Sequence, residues 1–249
     1  MTSPARTTGD ATSSDSLLGG RVRYAQPREG FRSGIEPVLL AAAVPARPGE
    51  SVLEGGSGAG AALLCLAARI PGIRGLGVEL DPKLTALAQA NATASNVDGV
   101  SFVAADLLTL RPPEVFDHAM ANPPYHLATG TASPSPAREL AKRGQPGLLR
   151  NWAVALVAPL RRRGTLTLIL SAVALPEAMD AMHTAGCNPT AVLPLWPAVG
   201  RRAKLILLHG AKGGRAPLRL LPGLVLHARG GGFTPETEAV LRNAAPIQL

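Results

Sequence analysis

Apolar positions along the 249 residues gather into two kinds of run. Short dense runs, bounded by acids, glycines or prolines, occupy Ser51–Glu54, Gly75–Glu79, Ser101–Ala104, Phe116–Ala121, Thr165–Leu170, Ala191–Leu195 and Lys204–His209. Runs of this length bounded by turn formers read as strands buried on both faces. Longer runs at helical spacing fill most gaps: Ala61–Ala68, Lys83–Ala90, Leu148–Leu160 and Leu175–Ala185. Asp81-Pro82 supplies an N-cap and a proline at the first helical position. A further helix over Val38–Ala43 carries Ser33 as N-cap, Glu36 three residues on as in a capping box, and Pro37 in its first turn. Strands alternating with helices predict an α/β fold, a seven-stranded and mostly parallel sheet with helices on both faces. Arg21–Gln26 alternates weakly, as a strand or hairpin arm. Residues 1–20 lack periodicity and read as a disordered leader. Residues 21–249 read as a single domain with an N-terminal helix and a basic C-terminal extension. Within it, 126–145 is a long loop suited to a substrate lid, and Thr234-Pro235-Glu236 caps a short helix.

Composition narrows this picture in two ways. Hydrophobic residues are 46% of the chain and aromatics only 3%, so the core must be built from Leu, Val, Ile and Ala. Charge is uneven: residues 1–149 hold 13 Lys/Arg against 13 Asp/Glu, and residues 150–249 hold 12 against 4. The net +8 therefore lies in the last hundred residues, a field that favours a polyanion over a solvated basic surface. Cys65 and Cys187 form no CxxC or Cys/His cluster, so neither a disulfide framework nor a metal site is expected. There is no run of about 18 apolar residues, and the Ser/Thr-rich start is not a secretory signal. A cytoplasmic protein without a membrane partner is expected.

The chemistry gathers at strand ends. Asn122-Pro123-Pro124-Tyr125 follows the run Phe116–Ala121. Two prolines cannot continue a ladder, so an amide, a stiffly held carbonyl and an aromatic ring sit at a C-terminal strand edge. Open α/β sheets bind ligands there. Such a set suits a flat, amine-bearing group. Ser51–Glu54 runs into Gly55-Gly56-Ser57-Gly58-Ala59-Gly60 and then a helix. Glycines allow a tight turn and close ligand approach. Neither a Walker loop nor a hydrolase elbow fits. A dinucleotide pattern does, through Gly56, Gly58 and Ala61, with Glu79 ending the next strand. The glycine loop alone leaves a nicotinamide dehydrogenase open. Glu54 before the glycines would oppose a pyrophosphate, however, and suits the amino group of S-adenosylmethionine. Asp106, after the third strand, can accept from an adenine amine.

Acids at three successive strand ends, closed by Asn122-Pro123-Pro124-Tyr125, resemble the Rossmann-like class I S-adenosylmethionine-dependent amino-methyltransferases. Phe31-Arg32-Ser33-Gly34-Ile35 before Val38–Ala42, and Gly200–Leu205, narrow the resemblance to the bacterial adenine-N6 methyltransferases of valine tRNA, which modify the adenine 3′ of the anticodon. That resemblance implies S-adenosyl-L-methionine as cofactor, held by Arg32, Ser33, Gly34, Glu54, Gly56, Gly58, Gly60, Glu79, Asp106 and Asn122. It implies catalysis by Asn122, Pro123, Pro124 and Tyr125. It also implies a tRNA partner met by Lys142, Arg143, Trp196, Arg201, Arg202 and Lys204, no metal, and a monomer or weak homodimer. A glutamine-amide protein methyltransferase, whose substrate also presents a flat NH2 group, and a methyltransferase of another nucleic-acid adenine such as that of DNA are the alternatives within the fold.

Overall fold

A computed structural model describes residues 12–28, 33–112, 115–124 and 147–249. Arg32, Tyr125, Lys142, Arg143, the lid segment and residues 1–11 lie outside the described residues. The elements are β1 (Thr12–Leu17), β2 (Val22–Pro27), α1 (Glu36–Ala43), β3 (Ser51–Gly55), α2 (Ala61–Arg69), β4 (Arg74–Glu79), α3 (Pro82–Ala94), β5 (Val100–Ala104) and β6 (Phe116–Ala121). There follow α4 (Leu148–Val157), β7 (Leu160–Ser171), α5 (Leu175–Thr184), β8 (Cys187–Trp196), β9 (Leu205–Lys212), β10 (Arg219–Leu220), β11 (Leu224–Val225) and α6 (Pro235–Asn243).

Seven strands pair in the order β8-β9-β7-β6-β3-β4-β5, with only β9 antiparallel to its neighbours. The sheet has nine strands rather than seven because two-residue β10 and β11 pair in parallel with β8 on its outer edge. From β3 the chain adds β4 and then β5 on one side, then crosses back to place β6 on the other. The β3/β6 boundary is thus the topological switch point, where such sheets open a crevice. Along β3, successive side chains serve opposite faces. Val52 packs in the cluster under α1 and α2, and Leu53 in the one under α4 and α5.

Four expectations change. Residues 12–20 are not a leader: β1 pairs antiparallel with β2, from Thr12–Pro27 to Leu17–Val22. Ser33 does not cap α1, whose N-cap is Ile35; its hydroxyl is 2.9 Å from the Tyr24 hydroxyl instead. The strand expected over Thr165–Leu170 starts earlier, at Leu160, with Arg161–Gly164 a bulge inside β7, since the pairing steps from Phe116–Leu160 to His118–Thr165. Finally, the C-terminal extension is part of the body, with Leu226 and Val240 in the core and the Ile247 N–H donating to the Ala42 carbonyl at 2.8 Å.

The N-terminal edge of the sheet is tied by a charged network. Asp117 accepts from the Ser51 N–H at 2.7 Å and pairs with Arg161 Nε at 2.8 Å. Glu50 lies 2.9 Å from His118 Nε2 and 3.5 Å from Arg161 Nη2, and His118 Nδ1 meets Thr165 Oγ1 at 2.8 Å. Burial alone would raise both carboxyls. Hydrogen bonds outweigh it, from His118 and the Arg47 N–H to Glu50 and from Ser51 to Asp117, and both carboxyls fall below the usual range.

Candidate active site

Register places the sequence-predicted residues at one edge. Gly55 stands beside Val78 on β4 and Ala121 on β6, and Glu79 beside Ala104 on β5. The glycine loop, Glu79, Asp106 and Asn122-Pro123-Pro124 therefore all leave the sheet from its C-terminal edge. Pro123 is buried, and Asn122 and Pro124 are half-buried. The Asn122 amide has no hydrogen-bond partner among the described residues.

The glycine loop needs its glycines. Gly56, Gly58 and Gly60 have φ of +66°, +55° and +87°, a left-handed region costly for other residues. The Gly56 and Ser57 N–H groups both donate to the Val78 carbonyl, at 2.8 and 3.1 Å, which ties the loop to β4. Glu79 adds two ties, accepting from Gly58 N–H at 2.8 Å and Asp81 N–H at 3.0 Å. Glu54 accepts from the Leu63 N–H at 3.1 Å, in the first turn of α2, where free amides favour an acceptor. It is only 4% exposed. Burial pushes its carboxyl up to about 8, with Leu63 pulling down and the Glu79 charge pushing further up. Tyr24 is raised to about 12, first by burial, opposed by its Ser33 hydrogen bond and helped by the charge of Glu54. Ser33 thus sits with Tyr24 near the acid of β3.

Asp106 is exposed and accepts from the Leu108 N–H at 2.9 Å, which fixes the turn after β5. Arg201, Arg202 and Lys204 are exposed in the loop joining β8 to β9. Leu195 and Ser171 both pair with Leu205, so this loop emerges at the same C-terminal edge. Trp196 is packed: its Nε1–H donates to the Pro222 carbonyl at 3.1 Å, and the ring lies against Gly223.

The residues fit an S-adenosylmethionine-type ligand. Ser57 is 6% exposed and its hydroxyl is buried without a hydrogen-bond partner among the described residues. A methyl group built on Gly58 would meet nothing within 4 Å among the described residues, so the loop's tip is open there to a close approach. Glu54 offers a carboxyl that an ammonium beside it would favour in its ionised form, and Glu79 retains acceptor lone pairs for hydroxyls. Two neighbours escaped sequence reasoning: Tyr24, on the N-terminal hairpin, and Trp152, on α4. No local pattern marks either residue, because distant packing brings both to the site.

Comparison with known proteins agrees. The model of the methyltransferase small domain family matches residues 36–167. The tRNA1(Val) (adenine(37)-N6)-methyltransferase of Bacteroides thetaiotaomicron is 27% identical over 142 residues, covering 56% of this chain and 60% of that protein. Its counterpart from Tolumonas auensis is 31% identical, covering 65% and 68%. A release factor glutamine methyltransferase from Cereibacter sphaeroides is 31% identical, covering 72% and 66%. Among solved structures, a predicted O-methyltransferase from Agrobacterium tumefaciens superposes with a TM-score of 0.69 at 24% identity, covering 86% of this chain and 99% of that one. A TehB-like methyltransferase from Corynebacterium glutamicum gives 0.51 at 16% identity, covering 74% and 90%; both likenesses concern the fold. The strand-end geometry and the family match meet in one conclusion: the chain belongs to the methyltransferase small domain family, a class I methyltransferase whose cofactor is S-adenosyl-L-methionine.

Proposed function

We propose that the protein methylates the exocyclic N6 amine of an adenine in tRNA. The observation that carries this reading is the Asn122 amide, which has no hydrogen-bond partner among the described residues and is set beside stiff Pro123-Pro124 at the switch point. The names of the Bacteroides and Tolumonas relatives support the tRNA adenine, at the position 3′ of the valine anticodon. Arg201, Arg202 and Lys204 at the same edge support a polyanionic carrier.

The bound cofactor would supply a methyl group that already carries its leaving group, so displacement needs no metal. An adenine amine is a poor nucleophile because its lone pair is delocalised into the ring. The Asn122 side-chain oxygen and the Asn122 or Pro123 carbonyl accept its two N–H bonds. That draws the nitrogen toward tetrahedral geometry and aims its lone pair. The prolines keep both acceptors in place without reorganisation. Tyr125 holds the extruded base by stacking, worth about 1–3 kcal/mol in comparable sites. Arg32 is assigned to the cofactor, and Lys142 and Arg143 to the RNA. The protein acts in the cytoplasm as a monomer or weak homodimer.

Incubation with labelled S-adenosylmethionine and total tRNA, then nucleoside mass spectrometry, tests this. N6-methyladenosine in tRNA is expected. Its absence, with methylation of a release factor glutamine in a parallel reaction, would move the assignment to the protein amide. That second reading is favoured by the Cereibacter relative, which matches the largest share of this chain among the three, 72%.

A further inference from the structure

We propose that Trp152 is a positioning residue of the methyl-donor site: its indole, set against the glycine loop beside Asn122, fixes the course of that loop. The claim rests on the cofactor site described above and goes beyond it, since no pattern in the chain marks Trp152. A methyl group built on Gly56 would stand 2.7 Å from Trp152 Cη2 and 3.3 Å from Cζ3. One built on Gly55 would stand 3.6 Å from Cζ3, with Leu107 and Leu156 nearer still at 2.8 and 3.0 Å. The doubled glycine is therefore a recess, and the tip of the ring fills its Gly56 side.

Two features make this more than core packing. Trp152 is half-buried, whereas Ala153 and Leu156 on the same helix are 2% and 0% exposed. Its ring also reaches backbone at a functional corner: Gly55 pairs with Ala121, and Asn122 is the next residue. Gly56 itself is held at φ +66°. A loop that must be ordered on binding loses affinity to that ordering. An indole resting on Gly56 orders it beforehand.

Four variants test this: Trp196→Phe, which leaves Trp152 as the sole tryptophan, Trp152→Phe, Trp152→Ala and Gly56→Ala. Each is checked for folding by circular dichroism and titrated with S-adenosylhomocysteine by calorimetry and by fluorescence. The Trp196→Phe protein should change its tryptophan emission on binding, saturating at the calorimetric Kd; the Trp152→Phe protein should not. Folded Trp152→Ala should bind about tenfold more weakly, with Trp152→Phe recovering most of the loss. Gly56→Ala should weaken binding as well. Unchanged emission of the Trp196→Phe protein alongside calorimetric binding would overturn the proposal. So would wild-type affinity in Trp152→Ala. If S-adenosylhomocysteine binds neither wild type nor any variant, the cofactor site itself is wrong and the proposal falls with it.

Discussion

The two edges of the sheet use the same residue types to opposite ends. At the N-terminal edge, Glu50, Asp117, His118 and Arg161 close on one another, and the two carboxyls are held low by their hydrogen bonds. At the C-terminal edge, Glu54 is buried against backbone and pushed up, and among the described residues neither the Ser57 hydroxyl nor the Asn122 amide has a hydrogen-bond partner. A charge that is fully answered stabilises the fold. A polar group left unanswered costs stability and is free for a ligand. The contrast separates structure from function on one scaffold without appeal to a motif.

The largest expected effect comes from breaking the C-terminal edge. Asn122→Ala should lower kcat by about 100-fold or more while leaving the melting temperature near wild type. His118→Ala should do the reverse. It removes the ring partner of the Thr165 hydroxyl and one of the hydrogen bonds to Glu50 and should cost about 2 kcal/mol in denaturant unfolding, with turnover per folded molecule preserved.

pH sharpens the contrast. Glu50 and Asp117 titrate lower in the folded protein than unfolded, so the unfolded state binds more protons. Their stabilisation is present above the ordinary carboxylate value and is lost as pH falls through the lower folded value. Glu50→Gln should flatten that acid limb in denaturant midpoints. Glu54 has the opposite sign: raised to about 8, it binds more protons in the folded state, so the free protein loses stability as pH climbs from the ordinary value toward 8. A cationic group beside Glu54 favours its ionised form. S-adenosylhomocysteine binding should therefore release a proton and strengthen as pH rises toward 8, and Glu54→Gln should remove both effects in calorimetry with buffers of different ionisation heat. The smallest effect is expected at the basic loop, where Arg201→Ala and Arg202→Ala should each reduce the salt slope of tRNA binding by about one.

The C-terminal edge was readable because its signals are local. Glycines at positive φ, prolines that end a strand and acids one strand apart announce themselves in order along the chain. The N-terminal edge was not. His118 is a lone histidine in an apolar run, and its partners Glu50 and Thr165 lie 68 and 47 residues away. The Ser33 cap failed for the same reason: Tyr24 captures a hydroxyl that local spacing assigned to α1. The Arg161–Gly164 bulge is set by pairing with β6, and two-residue β10 and β11 are too short to show any period. Trp152 reaches Gly56 only once α4 packs over β3 and β6.

The central claim, that Asn122 at the C-terminal edge positions an adenine amine for methyl transfer, is tested most directly by single-turnover transfer to tRNA with wild type, Asn122→Ala and His118→Ala at saturating cofactor. The account predicts a loss of about 100-fold or more for Asn122→Ala alone, with N6-methyladenosine as the wild-type product. A near-wild-type rate for Asn122→Ala would contradict it.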